Sequence, residues 1–169
     1  MHAQQPVSGY IKRETCIGLV INALFSLLFV WLIFGGQADV SLTGEQGLII
    51  DSIPQGLAIG LLGSFFPSML TRKRLAAGAI HPPANVRTPS ALPQLPFLRA
   101  LIFALISALV SLGLFTLLSV VSGLAAISFI QALVIKVFWG ALLGGAVSNI
   151  ALRFALRDYA SKPQQAALA

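Results

Sequence analysis

Charged residues are scarce in this sequence. They make up 9% of its 169 residues, whereas hydrophobic residues make up 57%. An ordinary soluble domain carries roughly 25% charged residues. So small a charged fraction excludes such a domain, because too few polar groups are present to cover its surface. We therefore predict that most of the surface faces a lipid bilayer.

Groups that commonly perform catalysis or bind metals are also few. The chain has one cysteine, two histidines and five acidic residues. Cys16 by itself excludes an internal disulfide and a thiolate cluster, and no His, Cys, Asp or Glu spacing resembles a metal or haem site. Because catalysis needs a positioned nucleophile, base or metal, we expect no enzymatic activity and no cofactor.

Long apolar runs are what the sequence has in abundance. Four of them have the length of about 20 residues that a helix needs to cross a hydrocarbon core of about 30 Å. The first is too long for the core of a cleaved signal peptide, about 7–15 residues. The predicted fold is an all-α membrane protein, a four-transmembrane-helix bundle, with spans at about 16–34, 48–70, 97–121 and 128–152.

The basic residues outside these runs predict the orientation of the chain. Two precede the first run, five lie between the second and third, three follow the fourth, and the other two connections have none. By the positive-inside rule, the N-terminal tail (1–15), the proline-rich loop (71–96) and the C-terminal tail (153–169) are cytoplasmic. We predict a multi-pass protein of the inner membrane.

A basic cluster at the cytoplasmic end of the second run is interpreted as a contact to lipid headgroups. It consists of Arg72, Lys73 and Arg74. No aromatic residues alternate with these cations, so nucleic acid is not an expected partner. The bilayer itself is the expected one.

The starts of the second and fourth runs resemble each other. Ser52 with Gln55, and Ser128 with Gln131, have the spacing of a capping box, and Pro54 is tolerated in a first helical turn. We therefore predict that each helix begins at its serine. The preceding segment 35–50 has no Lys or Arg, so we expect it outside, with room for a short interfacial helix.

The two halves of the chain also align with each other. Residues 21–27 match 106–112, and residues 52–59 match 128–135. One interpretation is a pair of parallel-repeat helical hairpins, related by an axis along the membrane normal and unlike the inverted repeats of several transporters. The alternative is that shared apolar composition alone produces the match.

Small residues recur at every fourth position of the second and fourth runs, which places them on one helix face. Lipid gives helices no hydrophobic drive to associate, so we interpret these rows as packing faces; the alternative is the lining of a path or pocket. A hydrogen bond between Asn22 and Asn149 is predicted to join the first and fourth helices. The predicted packing residues are Gly56, Gly60, Ser64, Gly140, Gly144, Asn22 and Asn149.

Lys136 is a charged residue deep inside a predicted span, and the repeat alignment places it opposite Gly60. Such a residue is a functional hypothesis by default. Asp51, at the outer mouth of the second span, is its predicted counter-ion. Three interpretations stay open: a snorkelled or paired structural lysine, an anion or substrate site, and a proton-coupled group.

The sequence favours a non-enzymatic accessory, scaffold or interaction component of the membrane. Its expected partners are the bilayer and either further copies of the chain or another membrane protein. The alternative is a small transporter or channel with an anion-attracting site at Lys136 and Asp51.

Overall fold

A computed structural model describes residues 7–81 and 92–166, with side chains described as far as Ser161. Residues 1–6, 82–91 and 167–169 of the predicted tails and proline-rich loop lie outside the described residues. The prediction of four helices is confirmed, and each of them is long and apolar enough to cross a bilayer. They are α1 (Val7–Phe34), α2 (Leu48–Ala76), α3 (Pro96–Ser122) and α4 (Phe129–Ala166).

Two short strands join the ends of α1 and α3 to the starts of α2 and α4. β1 (Asp39–Ser41) pairs in antiparallel register with β2 (Ala126–Ser128). Phe129 N also donates to Ala38 O at 3.0 Å, so the ladder leads directly into α4. The segment 35–47 therefore contains a strand and turns where an interfacial helix was expected. We call this end of the bundle the strand end and the opposite one, where α1 begins, the terminal end.

The helices do not pack in chain order. α1 lies along α4, α4 along α2, and α2 along α3, whereas the consecutive helices α1 and α2 touch at few positions. α2 and α4 are consequently the two central helices. The first helix of each hairpin packs against the second helix of the other hairpin, so the two hairpins interlock.

Glycines allow α2 to approach α3 closely. A Cβ added at Gly56 would lie 2.7 Å from Ala108 Cα, and one added at Gly60 would lie 2.6 Å from Ala104 Cα. Real Cβ atoms do not approach other atoms so closely, and the atoms in the way belong to a helix backbone. The contact between α2 and α3 therefore requires glycine at both positions.

The contact between α1 and α4 is built in the same way. A Cβ added at Gly140 would overlap the side chain of Ser26, and one added at Gly144 would overlap that of Asn22. Ser148 continues this row towards the terminal end and is fully buried. The small-residue faces thus pack α3 against α2 and α1 against α4. Ser64, on the small-residue face of α2, is also buried.

Each half of the chain thus brings glycines of a central helix against a helix of the other half. Gly56 and Gly60 pack against α3, and Gly140 and Gly144 pack against α1. That the two hairpins are repeats of each other stays a prediction.

The helix starts correct one prediction and confirm another. α2 begins at Leu48 with Gly47 as its N-cap, so Pro54 lies inside the helix and the predicted capping box of Ser52 and Gln55 is wrong. Leu48 is fully buried in the apolar core at the strand end. A helix that begins at Leu48 places this side chain in that core. The capping box of α4 is confirmed: Ser128 N donates to Gln131 Oε1 at 3.0 Å, and Gln131 N donates to Ser128 Oγ at 3.3 Å.

Candidate functional site

A buried ion pair lies at the centre of the strand end. Lys136 Nζ donates a hydrogen bond to Asp51 Oδ2, and the two side chains are 0% and 7% exposed. The rings of Phe34 and Phe115 each have their centroids 5.7 Å from the ammonium, a distance typical of cation–π contacts. One carboxylate and two aromatic rings thus surround the charge of Lys136.

All four helices contribute to this site. Phe34 is the last residue of α1, Asp51 lies in the first turn of α2, Phe115 belongs to α3 and Lys136 to α4. The N-terminus of a helix carries a partial positive charge that stabilises an anion there, so α2 supports the carboxylate of Asp51. On the strand side, fully buried Val40 of β1 belongs to the same apolar core as the two rings.

A layer of neutral polar groups lies next to the ion pair, on the side away from the strands. Gln55 Nε2 donates to Ser26 Oγ at 2.8 Å and approaches the carbonyl oxygen of Lys136 at 3.5 Å. Trp139 Nε1 donates to Ser111 Oγ at 3.0 Å. Within the described part of the chain, Gln55 Oε1 is the buried side-chain atom that has no hydrogen-bond partner.

A cavity of about 440 Å³ reaches the ion pair from the strand end. Asp51 and Phe34 line it together with Gln37 and Glu45. Lys136 is not among its lining residues and is fully buried. The site is therefore approached through the carboxylate, while the ammonium is enclosed.

The chain matches no family model, no curated protein and no solved structure. Its function must consequently be inferred from the geometry of its own residues. The structure brings Lys136 together with Asp51, the residue that the sequence suggested as its counter-ion. The phenyl rings that complete the enclosure carry no sequence signal, because Phe is common throughout the apolar runs.

Ion pairs also hold the terminal end together, and two of them have strongly buried carboxylates and short distances. Arg99 Nη2 donates to Asp158 Oδ2 at 2.6 Å, and both side chains are at most 2% exposed. Arg74 Nη1 donates to Glu14 Oε1 at 2.6 Å, with Glu14 7% exposed. Because Glu14 and Asp158 lie near the ends of apolar runs, the sequence predicts that both are solvated interfacial charges. That prediction is wrong, since each is buried against an arginine.

The two asparagines predicted to bond each other have other partners. Asn22 Nδ2 donates to Gly18 O at 2.7 Å within α1, and Asn149 Nδ2 donates to Thr15 Oγ1 at 3.0 Å. The prediction is wrong because the antiparallel contact of α1 with α4 sets Asn22 opposite Gly144, more than one helical turn from Asn149. Asn149 still ties α4 to α1, through a threonine.

The three residues of the predicted headgroup cluster have different environments. Arg74 pairs with Glu14, and Arg72 lies 3.5 Å from Asp158 and donates to the carbonyl oxygen of Gln94. Lys73 is exposed and forms no ion pair within the described residues. It is thus the member of the cluster whose charge is available to an external group.

A groove runs between α1 and α2, where these helices diverge. Its main part is a cavity of about 530 Å³ near the terminal end, and a second cavity of about 280 Å³ continues it towards the strand end. Asn22, Phe25 and Leu62 line both cavities. The groove is mostly apolar and opens sideways, away from the bundle.

Within residues 7–81 and 92–161, no three His, Cys, Asp or Glu residues lie close enough together to hold a metal ion. The chemistry available at the strand end is therefore that of a charge pair and its hydrogen bonds. It is suited to holding helices together or to attracting a small ion.

Proposed function

We propose that the chain is a multi-pass inner-membrane protein with its strand end outside and its terminal end in the cytoplasm. The distribution of Lys and Arg supports this orientation, because all of them except Lys136 belong to the terminal parts of the helices or to the connection between α2 and α3. Both chain termini and the loop between α2 and α3 are then cytoplasmic. The short strands lie at the outer surface.

In this membrane the chain acts as an accessory or scaffold component without enzymatic activity of its own. The closed interior carries this proposal: Lys136 is fully buried, bonded to Asp51 and enclosed by Phe34 and Phe115. Interlocked hairpins and ion pairs at both ends make the bundle a rigid body. Such a body is suited to holding a partner in place.

The surface offers apolar faces for such a partner. Large side chains on α1, including Trp31 and Leu32, and on α3, including Leu109, are more than 60% exposed, and so are Ile130 and Phe138 on α4. These faces contact lipid, further copies of the chain or another membrane protein.

A small transporter or channel is the second candidate. The cavity of about 440 Å³ that Asp51 lines at the strand end favours it. In this version an anion would reach Lys136 once Phe34 and Asp51 moved aside. The enclosed ammonium makes this the weaker candidate.

The orientation is tested with single cysteines and a maleimide that does not cross membranes. Cys16 is first replaced by Ser, and cysteine is placed at Thr43 or at Ala77, both exposed in the loops. We expect the Thr43→Cys protein to react in intact spheroplasts and the Ala77→Cys protein to react after lysis alone. Labelling of Ala77→Cys in intact cells would refute the orientation.

Reconstitution and co-purification separate the two functional candidates. In proteoliposomes with a chloride gradient, we expect the wild type to leak no faster than empty vesicles, and we expect a stoichiometric membrane protein to co-purify from native membranes. The control is the paired variant Asp51→Leu with Lys136→Met, which removes both charges of the site. Chloride flux in the wild type that this variant abolishes would overturn the scaffold proposal in favour of transport.

A further inference from the structure

The groove between α1 and α2 combines an apolar wall with a polar mouth. Phe25, Leu62 and Phe66 are among its wall residues, whereas Glu14 and Lys73 lie at its terminal end. Because α1 and α2 touch at few positions, the groove is open to the bilayer along its length. A bound molecule would enter it sideways from the lipid phase.

The mouth carries a net positive charge. Glu14 is neutralised by Arg74, whose guanidinium donates to its carboxylate at 2.6 Å. Lys73 is exposed, lines the same cavity and forms no ion pair within the described residues. The mouth therefore presents an uncompensated ammonium directly beside an apolar cleft.

The main cavity of the groove corresponds in length to one leaflet, and the smaller cavity continues beyond it towards the strand end. Leu62 and Lys73 both lie on α2, about 16 Å apart along the helix axis at 1.5 Å per residue. Half of a hydrocarbon core of about 30 Å is nearly the same distance. A membrane-spanning partner helix would extend across both leaflets, so the main cavity fits acyl chains better than such a helix.

We infer that this groove binds an anionic phospholipid of the cytoplasmic leaflet, with its phosphate at Lys73 and an acyl chain along Phe25, Leu62 and Gly63. The cytoplasmic leaflet supplies anionic headgroups, and the ammonium of Lys73 is the group that selects them. This inference rests on the membrane location proposed above and holds for a scaffold and a transporter alike. It assigns the headgroup contact of the basic cluster to Lys73 alone.

Native mass spectrometry of the purified full-length protein tests the inference, with dioleoyl phosphatidylglycerol and dioleoyl phosphatidylcholine as probes. We expect tighter binding of phosphatidylglycerol to the wild type. Lys73→Gln should weaken that binding about five-fold, the effect of about 1 kcal/mol for one lysine near a headgroup, without changing phosphatidylcholine binding. The matched control is Lys12→Gln, which removes an exposed charge at the same end but outside the groove.

A second pair of variants tests the apolar wall. A Cβ at Gly63 would make ordinary contacts of 3.6–3.8 Å, so Gly63→Ala should fold while its methyl group narrows the groove and weakens binding of both lipids. Gly113→Ala is its control, since nothing lies within 4 Å of the position on α3 where its Cβ would be. Unchanged binding in Lys73→Gln, or a polypeptide bound in place of lipid, would overturn the inference. Recovery of the chain in the soluble fraction of lysed cells would instead overturn the membrane proposal.

Discussion

Replacing either member of the Lys136–Asp51 pair by a neutral residue should destabilise the bundle by about 3–5 kcal/mol, the usual cost of leaving a buried charge without its partner. Lys136→Met leaves the carboxylate of Asp51 facing the ring of Phe34, and Asp51→Asn leaves the ammonium enclosed. The measurement is reversible unfolding of the purified protein in mixed micelles, followed by circular dichroism. A large loss in both single variants is the expected result.

The double variant makes this expectation specific to the pair. Asp51→Leu with Lys136→Met removes both charges and keeps the volumes similar, so it should regain most of the lost stability. Asp39→Asn is the matched control, because Asp39 is an exposed aspartate at the same end, and surface changes of this kind stay within about 0.5 kcal/mol. Single variants as stable as the wild type would show that the pair contributes little to the fold.

The second large effect is expected at Gly60. An added methyl group would be forced against Ala104 Cα on the backbone of α3, and a helix backbone cannot move aside as a side chain does. Gly60→Ala should therefore separate α2 from α3 and cost about 1–3 kcal/mol, as overpacking does. Unfolding in the same micelles measures the cost, and Gly60→Leu should lose more.

Gly113 provides the comparison for this prediction. It lies on α3 with nothing within 4 Å of the position that a Cβ would occupy, so Gly113→Ala makes the same chemical change without a clash. We expect it to be as stable as the wild type or slightly more stable, because alanine is the better helix former. Equal losses at Gly60 and Gly113 would show that helix propensity, and not helix contact, determines the effect.

The sequence contained enough information for the four helices and for the encounter of Lys136 with Asp51. Apolar runs of sufficient length allow few structures other than helices in a bilayer. Lys136 in the fourth run and Asp51 at the start of the second both lie towards the predicted outer side. Because their depths in the bilayer are similar, the sequence predicts their contact. Neither inference required knowledge of which helices are neighbours.

The ion pair, the strands and the helix start that the sequence did not predict depend on which helices are neighbours and on where each helix begins and ends. The pair Arg99–Asp158 joins α3 to α4 in the part of α4 that continues beyond the predicted span, where the sequence predicts a solvated interfacial charge. β1 and β2 have three residues each, too few for a periodic pattern. Pro54 favours a helix start with Gln55 as part of its cap, whereas the helix begins at Leu48, about one turn before Ser52.

The packing order of the helices has a consequence for the order in which contacts form during synthesis. α1 is the first of the four helices to be made, yet its main packing partner is α4, the last of the four. Glu14 can pair with Arg74 as soon as α2 has been made, whereas Thr15 meets Asn149 only after α4 has been made. The face of α1 that packs against Gly144 therefore stays uncovered until the fourth helix follows the other three.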